Sequence, residues 1–150
     1  MTYHGPGQIV GYPIVDLREL ACDVGSYIDR IEEMLIRTLA DFGVVAARDS
    51  RNRGVWVADR KVAALGVRVT RGITMHGFAL NVRVDLDDYR GIVPCGIADA
   101  GVTSMHRLVP RVSATAVKGA LVKRFVEVFG YDGQEAGLAE GEARPGSALG

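Results

Sequence analysis

Cysteine is scarce in this 150-residue chain, where Cys22 and Cys95 are the only two. They stand far apart in different kinds of segment, which argues against a disulfide scaffold and against a Cys-x-x-Cys metal or redox site. At least one thiol is therefore expected to be free and reduced. An excess of charge of either sign is also missing. Lys+Arg and Asp+Glu both number 18, for a formal net charge of zero. No overall field draws the chain to nucleic acid or to a membrane surface, so a partner must be recognised locally. No apolar run approaches the roughly 18 residues that cross a bilayer. The start Met1-Thr2-Tyr3-His4-Gly5-Pro6-Gly7 has neither a basic n-region nor an apolar h-region. The expected location is cytoplasmic. No internal repeat is present, and the length suits one domain with a core of its own.

What is present reads as strands in runs with two helices to cover them. Residues 8–15 look like a strand entered from a glycine-rich loop, with Pro13 at an edge or a bend. In 23–42, Val24, Tyr27, Ile28, Ile31, Leu35 and Leu39 recur at helical spacing, with Asp23 as N-cap and Gly43 past the end. Residues 44–47 and 54–58 read as short strands joined by a polar turn, with Trp56 an interior packing residue. Positions 63, 65, 67 and 69 are alternately apolar, and 73–82 follows the turn at Arg71-Gly72, which predicts a hairpin. A second helix is expected over 113–129, with Val117, Leu121, Phe125 and Val128 on one face and Gly130 beyond it. Residues 132–150 are rich in Gly, Ala and Glu and nearly devoid of bulky apolar side chains. Such a composition cannot offset its ordering entropy, so a flexible tail is expected. The division is a domain over 1–131 and a tail over 132–150, of α+β (α/β) class with a mixed β-sheet and packed helices.

Chemistry-bearing residues collect in glycine-marked segments. Pro94-Cys95-Gly96 presents a thiol at a stiff, sharp turn. A free cysteine is more often a small buried hydrophobe, and this one could equally mark a bend between strands. Taken singly, Lys61 could be a solvated strand start, His4 a loop residue, and His76 a core histidine. A metal site from His4, His76, His106 and Cys95 has no pair at close ligand spacing, so no metal is expected.

In order and spacing, several motifs together resemble the lipoyl(octanoyl) transferases. They are Tyr3-His4-Gly5-Pro6-Gly7-Gln8 with Gly11-Tyr12-Pro13, Lys61-x-Ala63-Ala64-x-Gly66-Val67, Thr74-x-His76-Gly77-Phe78-Ala79-Leu80-Asn81-Val82, and Ile92-Val93-Pro94-Cys95-Gly96-Ile97. The resemblance covers the chain from Thr2 to about Phe129. It implies the fold of the biotin and lipoate ligases. The implied activity is transfer of an octanoyl group from octanoyl-acyl carrier protein to a lysine of lipoyl domains, those of 2-oxoacid dehydrogenases and the glycine cleavage H protein. No cofactor or nucleotide is needed, and neither nucleic acid nor membrane takes part. Cys95 is implied to be the nucleophile that forms an octanoyl thioester, and Lys61 its activating partner. A free thiol, with pKa about 8.5, is only a few per cent thiolate at neutral pH, and a nearby ammonium favours the thiolate. The acyl substrate is implied to contact Thr2, Tyr3 and His4, then Ala64, Leu65 and Gly66, then Gly77, Phe78 and Ala79. Small residues leave room for an alkyl chain there, with Leu65 and Phe78 as apolar wall. His76 is a possible supporting residue.

The family's first motif begins with an Arg-Gly-Gly segment, and here Met1 stands directly before Thr2. The expectation is a chain lacking its N-terminal portion. Three alternatives follow: a truncated, inactive acyl- or lipoyl-domain-binding remnant; a hydrolase using a Cys95–His76 pair; and an ATP-dependent lipoate ligase that would not need Cys95.

Overall fold

Period 3.6 and period 2 divide the chain into two helices of useful length and a hairpin-centred sheet. The computed structural model describes residues 6–49, 53–85, 101–130 and 140–141, without the side chains of His76 and of 140–141. The elements are β1 (Gln8–Gly11), α1 (Leu17–Leu20), α2 (Val24–Asp41), β2 (Val55–Val57), β3 (Arg60–Thr70), β4 (Ile73–Asn81), a 3-10 turn (Met105–Arg107), α3 (Ala114–Phe129) and β5 (Glu140–Gly141). They form a five-stranded sheet in the order β2-β3-β4-β1-β5. All neighbouring strands pair antiparallel. A parallel bridge from Lys61 to Val102 makes the sheet mixed.

Both long helices start and stop on the expected residues. The Asp23 carboxylate accepts the Ser26 N–H at 2.7 Å and opens α2, and Gly43, at φ 79°, follows its C-cap. Ser113 caps α3 by accepting from the Ala116 N–H, and Gly130 closes it in the left-handed region. Tyr27, Ile31, Leu35 and Leu39 of α2 and Val117, Leu121, Phe125 and Phe129 of α3 bury against Ile9, Val62, Phe78 and Leu80 of the sheet. Each fully buried Leu, Ile or Phe contributes about 1.5–3 kcal/mol. At the α3 end the buried position is Phe129, while Val128 is only partly buried. The Phe129 ring packs on Tyr27 and Phe125 at centroid distances of 5.7 and 4.6 Å.

Several expectations need correction. Strand pairing from Gln8 ends at Gly11 and does not reach Val15. Pro13 has no N–H for a ladder, and Thr74 takes over locally: its hydroxyl donates to the Pro13 carbonyl and accepts the Val15 N–H. The short helix α1 was not anticipated; Asp16 caps it by accepting the Arg18 N–H. Residues 44–47 form no strand but a lone bridge from Ala47 to Trp56, because Val44 still donates back to Leu39 in the helix end. The β3–β4 hairpin turns on Arg71 and Gly72, both at positive φ (54° and 83°), as a two-residue turn requires. The tail expectation for 132–150 lies outside the described residues except at Glu140–Gly141, which pairs with β1.

Candidate active site

The register of β3 on β4 sets the character of each sheet face. Directly opposed residues share a face and neighbours along a strand alternate. Leu65 opposes Phe78 and Ala63 opposes Leu80; these side chains join the helix-packed core. Between them Ala64 opposes Ala79 and Gly66 opposes Gly77, and these small residues make up the opposite face. A cavity of about 340 Å³ lies there, lined by Val10, Tyr12, Ala64, Leu65, Gly66, Val67, Arg68, Gly77, Phe78 and Ala79. Its size is at the lower end of the roughly 300–1,000 Å³ usual for ligand pockets.

Two glycines shape the cavity differently. A methyl group on Gly77 would strike the Gly11 carbonyl and come within 2.7 Å of Pro13 Cδ, because the chain leaving β1 crosses over it. A methyl group on Gly66 would meet nothing within 4 Å and would project into open space. Gly77 is thus small so that the chain can close up, whereas Gly66 leaves room.

Lys61 reaches this face through a break in the ladder. Val55 pairs with Ala63 but the next residue, Trp56, pairs with Lys61, so Val62 is an extra residue in β3. Such a bulge re-aims the side chains beyond it. Val62 and Ala63 both belong to the core cluster, and Lys61 and Trp56 do not. Simple alternation would have sent Lys61 inward with Ala63. The Lys61 ammonium stands 5.3 Å from the centre of the Trp56 ring. Lys61 is three residues from Ala64 along β3, about 10 Å at strand rise, and is not among the residues lining the cavity.

The backbone at Lys61 is held from a second direction. Its N–H donates to the Gly101 carbonyl at 3.0 Å, and its carbonyl accepts from Thr103 at 2.9 Å. The Thr103 carbonyl in turn accepts the Asn81 amide at 3.0 Å, and Asn81 Oδ1 accepts from Gln8 Nε2 at 2.9 Å. Gln8 and Asn81 are buried. This chain of bonds ties β1, β4 and the segment at 101–104 to the strand of Lys61. Gly101 lies six positions after Cys95 in the sequence. Gln8 and Asn81 fall within the motifs read from the sequence, but their polarity alone gave no sign that they bond each other across 73 positions.

Of the expected site residues, Ala64, Leu65, Gly66, Gly77, Phe78 and Ala79 come together around this cavity. Leu65 and Phe78 border it from the strand positions between the small residues, with their side chains in the core. Thr2, Tyr3, His4 and Cys95 lie outside the described residues, as does the His76 side chain, although its backbone pairs with Val67. His106 lies in the 3-10 turn with its Nδ1 buried. Cys22 is half-buried against the core edge, away from the cavity lining. Tyr12 and Arg68 line the cavity and were not anticipated as site residues.

Helices packed on one face of this five-stranded sheet give the chain the fold of the lipoate and biotin protein ligases. A bi-partite lipoate protein ligase from Thermoplasma acidophilum, described with its E2 lipoyl domain, superposes with TM-score 0.70 over 87% of this chain and 54% of its own, at 22% identity. Biotin protein ligase from Aquifex aeolicus superposes with TM-score 0.66 over 87% and 56%, at 12% identity. The chain belongs to the lipoyl protein ligase A/B catalytic domain family, which matches residues 1–126. Among curated relatives, an octanoyltransferase of Solibacter usitatus (strain Ellin6076) is 48% identical over 132 residues, covering 88% of this chain and 60% of the relative. The chain thus spans about 60% of that relative's length.

Proposed function

We propose that the protein is an acyltransferase that moves an octanoyl group from octanoyl-acyl carrier protein to a lysine of lipoyl domains in the cytoplasm. The observation that carries this reading is the gathering of Ala64, Leu65, Gly66, Gly77, Phe78 and Ala79 around one cavity in a chain about half identical to an octanoyltransferase. An alkyl chain laid over Ala64, Gly66, Gly77 and Ala79 leaves water, which favours binding by about 0.8 kcal/mol per methylene.

In this reading the Cys95 thiolate attacks the carbonyl carbon of the carrier thioester. The carrier sulfur leaves and takes up a proton, and the octanoyl group rests on Cys95 as a thioester. The neutral amine of the target lysine then attacks that carbonyl. The Cys95 sulfur leaves as thiolate, and the proton lost by the new amide nitrogen passes to solvent or through Lys61. Exchange of one thioester for another is nearly balanced, and amide formation makes the whole favourable. Lys61 favours the Cys95 thiolate through its positive charge. The partners are the carrier and the lipoyl domains of 2-oxoacid dehydrogenases and the glycine cleavage H protein, as for that resemblance.

The test is peptide mass after incubation with octanoyl-acyl carrier protein. An octanoyl adduct on Cys95, absent in Cys95→Ala, is expected; an adduct on Cys22, or none, would refute the reading. Alkylation of Cys95 followed against pH should show a midpoint below the free-thiol value that rises in Lys61→Met. Transfer that survived Lys61→Met at near full rate would instead favour the Cys95–His76 hydrolase-like pairing.

A further inference from the structure

We infer that Trp56 is a positioning residue for Lys61, holding its ammonium on the cavity side of the sheet through the face of the indole ring. The inference rests on the reading of Lys61 as the partner of Cys95. Trp56 and Lys61 are direct cross-strand partners at the bulge, and the ammonium lies 5.3 Å from the ring centre. That is within the roughly 6 Å over which an aromatic face attracts a cation. Trp56 is only 8% exposed yet lies outside the helix-packed core cluster. Trp56 is thus buried beside Lys61 at the edge of the sheet and is not one of the residues of that cluster.

The backbone that carries the ring is fixed on several sides. Trp56 exchanges both backbone hydrogen bonds with Ala47, at 2.9 and 2.8 Å. Two residues earlier, the Gly54 N–H donates to the Glu32 carboxylate of α2 at 3.2 Å, and Arg53 pairs with the same carboxylate at 3.1 Å. Glu32 is buried, so β2 is anchored to the helix layer where it meets β3. Gly54 also gives the lysine stem its path, since a methyl group there would lie 3.0 Å from Lys61 Cε. Lysine has four rotatable stem bonds, and ordering them is entropically costly. A rigid aromatic face beside the ammonium reduces the number of stem conformations that compete with the productive one.

Within these 150 residues Trp56 is the one tryptophan; with any other tryptophan of the full-length protein first replaced by phenylalanine, incorporating mono-, di- and trifluoro-tryptophan during expression alters position 56 alone. Fluorine withdraws charge from the ring face while keeping its shape. Two readouts are needed in the full-length protein. The first is the NMR position of Lys61 after reductive 13C-methylation, with Lys118 and Lys123 as internal references. Lys61 should resonate upfield under the ring current and move to the position of the other lysines in Trp56→Leu. The second is octanoyl transfer: kcat should fall stepwise with fluorine number, to about a tenth in Trp56→Leu and to no less than half in Trp56→Phe, with KM for the octanoyl donor within twofold.

A Lys61 resonance coincident with Lys118 and Lys123 in the unaltered protein would overturn the inference, as would a kcat indifferent to fluorine number. Equal loss in Trp56→Leu and Trp56→Phe would do the same, because packing alone predicts it. If the ring-current shift is present but the unaltered protein forms no octanoyl adduct on Cys95, the failure lies in the functional reading and not in the placement of Lys61 by Trp56.

Discussion

The two faces of the β3–β4 hairpin carry residues of opposite bulk although they alternate along the same two strands. On the helix side, Phe78 and Leu80 are 2% and 0% exposed and join a core with Ile31, Leu35 and Leu121. On the other side, Ala64, Gly66, Gly77 and Ala79 border a cavity of about 340 Å³. Packed faces gain stability from bulk, because every methylene withdrawn from water counts and every void loses contacts. A face that receives an alkyl chain gains from the reverse: small side chains leave the place that the ligand's methylenes fill. In the proposed function one hairpin serves both ends, stability on one side and acyl binding on the other, with period 2 keeping the two apart.

Leu80→Ala should break this comparison most forcefully. It leaves a void against the helices and should cost about 2–5 kcal/mol of unfolding free energy in urea titration, with the acyl-chain preference of the folded protein unchanged. Gly77→Ala should come next. Its methyl would strike the Gly11 carbonyl and Pro13, so a loss of about 1–3 kcal/mol is expected, together with weaker octanoyl transfer. Gly66→Ala sharpens the contrast. Its methyl meets nothing within 4 Å, so stability should stay within about 0.5 kcal/mol of the parent while KM for the octanoyl donor rises several-fold relative to a hexanoyl donor. A Gly66→Ala variant that unfolded like Gly77→Ala, or that left chain-length preference untouched, would contradict the division of roles.

The smallest effect belongs to the outer surface of the helix layer. Arg124 pairs with Asp41 at 2.5 Å across α2 and α3, and Arg37 joins Glu33 and Glu127. The hydrogen bond from Arg124 holds the Asp41 carboxyl below its ordinary value, and Arg37 does the same for Glu33 and Glu127. A carboxyl whose folded pKa is depressed adds stability above the ordinary carboxylate range near 4 and loses it as pH falls through the lowered value. Tm should therefore decline on acidification below that range, and Arg124→Met should flatten the decline. These pairs are solvent-exposed and screened, so the change should be no more than a few degrees and should shrink in high salt. The cavity side should not respond.

The sequence by itself determined the two long helices, the hairpin and six of the ten residues that line the cavity. Asp23 and Gly43, and Ser113 and Gly130, bound α2 and α3 because capping and left-handed termination depend on neighbours a few positions away. Arg71-Gly72 fixed the hairpin turn for the same reason. Ala64, Gly66, Gly77 and Ala79 were legible through their motifs, and the cavity gathers them. Tertiary structure alone decided the rest. The bulge at Val62 depends on how β2 registers against β3, and that register turns Lys61 away from the side its alternation with Ala63 and Leu65 suggests. The bonds from Gln8 to Asn81 and from Asn81 to Thr103 join residues distant in sequence. The end of β1 at Gly11 followed from Thr74 bonding to the chain around Pro13. Local rules read what neighbours along the chain impose, whereas register, bulges and buried polar pairs are settled by which strand lies alongside, and that is decided when the sheet assembles.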